Sequence, residues 1–173
     1  TLVQYDPTLT GQLGTLNTTI SSARISETDS PLTATGSLSL YDADTSNILS
    51  ASVGSVAVSG VQTGLTLNND QIKALLSVST TDTNALQSSK LNWNFNSGSE
   101  AFNWLASGEE LTFTYTVNVS DNSPGGAQSA SSTVTVTIVG TNDQAVITPG
   151  GVTASLTEGS GNLTQSGSIS YAD

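Results

Sequence analysis

The sequence has 173 residues, with 14 acidic side chains against three basic ones, for a formal charge of −11. Arg24, Lys73 and Lys90 cannot neutralise a phosphate backbone, which excludes nucleic acid and, on the same ground, an anionic membrane surface. Cys, His and Met are absent, which removes disulfides, thiolate metal sites and thiol nucleophiles; no apolar stretch reaches the length of a membrane span.

Residues 1–20 alternate weakly and carry Pro7, Gly11 and Gly14, the pattern of a connector or the end of a preceding domain. Stronger alternation begins at Ala23. A short strand over Arg24–Asp29 ends at Pro31, and a second over Thr35–Leu40 terminates at Tyr41-Asp42-Ala43-Asp44. Ala51–Ser59 reads as a third strand, and Gly60–Leu67 as a further short one. Asn68, Asn69 and Asp70 then precede Ile72, Leu75 and Leu76 at helical spacing, which predicts a helix of about two turns capped by Asn.

Leu91, Trp93 and Phe95 alternate with Asn92, Asn94 and Asn96, the pattern of a strand. Phe102 and Leu105, three apart, predict one helical turn plugging the end of a sandwich. The longest signal is a hairpin from Glu110 to Val139. Leu111, Phe113, Tyr115, Val117 and Val119 share one face of its first arm. Val134, Val136 and Ile138 do the same on the second arm, across a turn cluster at Asp121–Gly126. Apolar residues this sparse, yet so regularly alternated, predict an all-β sandwich with one or two short helices.

The chain then repeats itself. Ile25, Glu27, Leu32 and Thr33 recur as Leu156, Glu158, Leu163 and Thr164. Gly36-Ser37-Leu38-Ser39 recurs as Gly167-Ser168-Ile169-Ser170, and Asp42 as Asp173. Every pair lies 131 positions apart, without a gap. The organisation is therefore a connector over 1–20, one complete repeat over 21–145 and the opening strands of the next over 146–173. A repeat of this size is a whole domain and not a solenoid unit.

Several segments, in their order, resemble a VCBS-type repeat of very large bacterial surface adhesins of the RTX and biofilm-associated kind. They are the Glu27 segment, Gly36-Ser37-Leu38-Ser39 leading into Asp42-Ala43-Asp44, and Phe102 to Glu109 before the long strand. Val119-Ser120-Asp121 and the closing Val136 to Asp143 complete the set, which spans nearly all of residues 23–143. The resemblance implies a cadherin-like or immunoglobulin-like Greek-key sandwich, type I secretion to the bacterial cell surface, neighbouring repeats as partners, and calcium near the domain junctions. Two departures stand out. Gly11-Gln12 occupies the position equivalent to Asn142-Asp143, and residues 1–20 match no part of the family pattern.

Calcium takes several oxygen ligands gathered from loops. The candidates at strand ends are Glu27, Asp42, Asp44, Asp121, Asn142 and Asp143. In an extended segment Asp42 and Asp44 point to one side, where two carboxylates about 4 Å apart repel by roughly 1 kcal/mol in water and more near a protein surface. A divalent cation turns that repulsion into attraction. Against this, Asp and Asn are ordinary turn residues, and Asp70 fits a helix start better than a ligand.

Three other chemistries are weighed against the sequence. Trp93, Phe102, Trp104 and Tyr115 suit a core better than a glycan platform, with Trp104 the exception; a binding module would use Trp104 or the loop at Asp121–Gly126 to contact glycan or a host surface. Lys73 or Lys90 joined to a buried Asn would make an isopeptide bond, but a solvated Lys at a strand edge is the simpler reading. Enzymatic chemistry finds no His base and no nucleophile elbow. Glu109 and Glu110, adjacent in a strand, face opposite ways and cannot pair as glycosidase carboxylates. The sequence thus points to a calcium-stiffened, non-enzymatic extender contributing to adhesion and biofilm formation.

Overall fold

A computed structural model describes residues 21–40, 48–81, 89–121, 127–148 and 153–172. The connector 1–20, Asp42, Asp44 and residues 122–126 of the hairpin turn lie outside them. The described residues fall into two units, one ending at Thr141 and the other starting at Asn142.

The first unit is a two-sheet sandwich. Its strands are β1 (Ser21–Ser26), β2 (Thr33–Ser39), β3 (Ser50–Gly60), β4 (Leu76–Thr81), β5 (Lys90–Asn96), β6 (Glu110–Ser120) and β7 (Ser129–Val139), with one helix, α1 (Asn69–Ala74), before β4. One sheet runs β1-β7-β6-β3 and the other β2-β5-β4. Strands adjacent in sequence repeatedly change sheets, the immunoglobulin-like Greek-key order.

The hairpin is the scaffold. β6 and β7 pair antiparallel along their full length, from Glu110 opposite Val139 to Ser120 opposite Ser129. All five apolar residues of β6 and all three of β7 named above are fully buried, while the Thr residues between them line the outer face. β5 supplies Leu91, Trp93 and Phe95 from the opposite sheet, and Phe113 meets Phe95 and Phe102 at ring-centroid distances of 6.3 and 6.0 Å. Burying eight or more large side chains at about 1.5–3 kcal/mol each is what holds so Ser/Thr-rich a chain folded. The Trp93 indole packs against Gly36 of β2, so a Cβ there would stand only 2.5 Å from the ring.

Three expectations change. First, Gly60 ends β3 and Val61–Leu67 forms no strand: Gly60 has φ +88° and the chain turns away to reach α1. Second, the helix spans the 6 residues Asn69–Ala74, and Leu76 belongs to β4 and not to it. Asn68 and Gln71 cap it reciprocally, and Leu75 closes it. A helix this short has no stability of its own. It is held by buried Ile72, whose carbonyl accepts a 3.1 Å hydrogen bond from the Tyr115 hydroxyl. Third, Phe102 and Leu105 are buried as expected, but in a turn and not a helix, because Phe102 takes φ +63°. That left-handed conformation costs about 1–2 kcal/mol. Glu100 Oε1 accepts from the Phe102 N–H at 2.9 Å and Leu105 N–H donates to its carbonyl at 3.0 Å, fixing the turn on both sides.

In the second unit, β8 (Val146–Thr148) pairs antiparallel with β9 (Ser170–Ala172). Here the repeat acquires physical content. Leu32, Leu38 and Leu40 are at most 4% exposed, whereas Leu163, Ile169 and Tyr171 at the equivalent positions are 50, 60 and 77% exposed. The same pattern is present twice, buried in the first unit and exposed among the described residues of the second.

Candidate functional site

β1 runs parallel to β7, in register from Ser21 opposite Val134 to Ser26 opposite Val139. This pairing carries Glu27 to the point where the chain leaves β7. The Glu27 N–H donates to the Val139 carbonyl at 2.8 Å. Its side chain is only 1% exposed, and Oε1 accepts from both the backbone N–H of Thr141 at 3.0 Å and the Thr141 hydroxyl at 2.7 Å. Glu27 Oε2 is buried with no hydrogen-bond partner among the described residues.

The exit itself is tightly built. Gly140 donates to the Glu109 carbonyl at 2.8 Å and accepts from the Gly108 N–H at 2.9 Å. A Cβ on Gly140 would collide with the carbonyl oxygens of Leu105 and Ala106. Only glycine passes through this slot, so the position of Thr141 under Glu27 is imposed by the backbone around it. Asn142 and Asp143 follow directly in the chain and open the second unit. Asn142 is exposed and donates from Nδ2 to the Asp143 carbonyl at 3.1 Å.

Asp121 lies at the other end of the hairpin. It is 5% exposed; Oδ1 accepts from the Gln128 N–H at 2.8 Å, and its own N–H donates to the Gln128 carbonyl at 3.1 Å. It therefore closes the turn of β6 onto β7. Ten residue steps along β6 separate that end from Glu110, roughly 33 Å at strand rise. Glu27 and Asp121 thus cannot serve one ion. Among the described residues no three His, Cys, Asp or Glu side chains gather in a metal-binding group.

A buried carboxylate oxygen without a partner is costly, by about 1–3 kcal/mol or more for a charged group. The unsatisfied Oε2 of Glu27 is the one observation in this region that fits a hard cation, and carboxylate, hydroxyl and amide oxygens are the donors calcium prefers. Sequence reasoning singled out Glu27 but missed Thr141 as its partner. No local motif encodes that contact, because it depends on the register of a parallel pair formed by residues more than a hundred positions apart.

The other sequence candidates find structural places. Arg24 Nη2 binds Glu110 Oε1 at 2.7 Å on the exposed face of the sheet; this hydrogen bond and charge pair hold Arg24 above and Glu110 below their ordinary pKa. Lys90 is exposed at the start of β5. The buried polar side chains among the described residues are Glu27, Ser89, Ser97 and Asp121, so none is an Asn that could accept an isopeptide bond. Trp104 is half-buried, with its ring set against Gly64. A groove of about 440 Å³ beside β3, between Val56 and Val58 on one side and Leu65 and Ile72 on the other, has no titratable lining residue.

No family model matches the chain, and no curated protein does. Among solved structures, the ASH / PapD-like domain of human CEP192 (PapD-like domain 7) aligns with a TM-score of 0.42 and 10% identity, over 83% of this chain and 96% of that one.

Proposed function

We propose that this chain is a structural extender repeat of VCBS type from a large bacterial cell-surface adhesin, stiffened by calcium and acting without enzymatic chemistry. The observation that supports it best is Glu27: a buried carboxylate that spends one oxygen on Thr141, the residue immediately before Asn142-Asp143, and whose other oxygen has no partner among the described residues. The candidate ligands are Glu27, Asp42, Asp44, Asp121, Asn142 and Asp143. The ion would neutralise carboxylates that the three basic residues cannot pair, and it would join the exit of β7 to the segment that follows. A flexible joint would become a stiff one, projecting a distal binding domain from the secreted, surface-held protein and so supporting adhesion and biofilm formation.

Thermal melting in millimolar calcium and in chelator tests this reading. At free ion about a hundredfold above the dissociation constant, one site adds roughly 2.7 kcal/mol of stability. The calcium-dependent shift is expected in the native sequence and absent in Glu27→Gln. Superimposable curves for the native chain would reject the calcium-stiffened extender.

A further inference from the structure

Among the described residues β1 and β7 are the first and last strands of the first unit, and they lie side by side in parallel. The chain enters β1 at Ser21, beside Val134, and leaves β7 at Val139, beside Ser26. Entry and exit are therefore at opposite ends of the pair. Tension between the flanking segments drags β1 along β7 in shear. The backbone hydrogen bonds of a sheared pair share the force and fail together, whereas an unzipped pair breaks one bond at a time.

Among the described residues β1 is an edge strand with one neighbour, and a six-residue edge is ordinarily the first element to fray. Here side chains tie it at three points to three different places. At its start, Trp93 Nε1 of β5 donates to the Ser21 hydroxyl. In its middle, Arg24 reaches over β7 to Glu110 of β6. Just past its end, Glu27 grips Thr141 through two hydrogen bonds. Sliding β1 by one residue breaks all three ties along with the parallel ladder.

We propose that the β1–β7 pair is a mechanical shear clamp, the element that sets the force at which the first unit unfolds. The clamp follows from topology and the three ties; that tension reaches it in the living system rests on the extender reading, and the two can fail separately.

Single-molecule force spectroscopy on the full chain tests it. The chain has no Cys, so handles can be placed uniquely. Handles at the two termini load β1 and β7 in shear. An Asp29→Cys handle paired with the C-terminal one loads the same strands from the Glu27 and Val139 end, in unzipping. The first unit is recognised by a contour-length gain on the order of 400 Å, at 3.3–3.6 Å per residue. The expected result is a several-fold higher rupture force in shear than in unzipping at one pulling rate. Thr141→Val, which keeps the backbone N–H and loses the hydroxyl, should lower the shear force while a denaturant titration shows it folded. Equal forces in the two geometries overturn the clamp. A ratio that survives in chelator, with no calcium effect on melting, keeps the clamp and removes calcium stiffening.

Discussion

Tyr115 is the side chain on which most of the core turns. It sits at the centre of the hairpin, fully buried, and its hydroxyl is spent on the Ile72 carbonyl. Burial raises its pKa far above that of a free phenol. The consequence for stability has a definite sign. Below the ordinary tyrosine pKa of about 10 both folded and unfolded states hold the proton, and the residue adds no pH dependence. Above it the unfolded chain releases the proton while the folded chain keeps it, so stability falls by up to about 1.4 kcal/mol per pH unit. Denaturant midpoints between pH 9 and 11.5 should show this decline in the native chain and a shallower one in Tyr115→Phe. The same variant should lose about 0.5–1.5 kcal/mol at neutral pH, the net worth of one hydrogen bond, since the Ile72 carbonyl keeps its bond from the Leu75 N–H.

Gly140 makes a second test at this scale. Gly140→Ala must displace the Leu105–Ala106 backbone, and overpacking of this kind costs about 1–3 kcal/mol. Because the slot also positions Thr141, the variant should lose any calcium-dependent rise in melting temperature along with stability. Retention of the calcium response at reduced stability would separate the slot from the site.

Among the elements, the strands were the most readable. The alternation of β6 and β7 names every buried residue, because a strand with one covered face has no other way to place them. β5 is equally plain. β4 is not: Leu76 continues the helical spacing of Ile72 and Leu75, and the switch in period is hidden inside three residues. The capping box explains why the helix nonetheless starts where Asn68 stands. Asn68→Ala should cost about 1 kcal/mol, read as a shift in the denaturant midpoint with unchanged slope. The turn at Phe102 was unreadable for a different reason. A positive φ at a Phe is not written in composition; it is stabilised locally by the Glu100 carboxylate two residues back and, through the fold, by the ring's burial against Phe113. The candidate site divides in the same way. Glu27 could be named from the sequence, but Asp121 looked equivalent to it until the sheet register placed the two at opposite ends. Their different partners, Thr141 and Gln128, follow from pairing and not from local sequence.

At the scale of the whole molecule, charge matters most. A net −11 on 173 residues destabilises the compact state through self-repulsion, and the ion pair Arg24–Glu110 is the one found among the described residues. Added salt weakens both. The repulsive pairs outnumber the attractive one heavily, so the melting temperature should rise as sodium chloride goes from about 10 mM to 1 M, over which the screening length falls from roughly 30 to 3 Å. A fall would mean that the few cations hold the fold more strongly than the carboxylates oppose it.

The far edge of the hairpin sheet carries one more consequence. β3 departs from regular pairing between Val53 and Ser55, where Gly54 lies against the Asn118 amide. A bulge at that place twists the border strand out of the straight line another strand would need in order to zip onto it. The chain restates the segments around β1 and β2 131 residues later, so close relatives of those strands are present during folding, and mispairing between such relatives is a characteristic failure of repetitive proteins. The irregularity at Gly54 acts as a guard against that error, and straightening it should show itself first as tangled, aggregated product in refolding and only afterwards as any change in the finished fold.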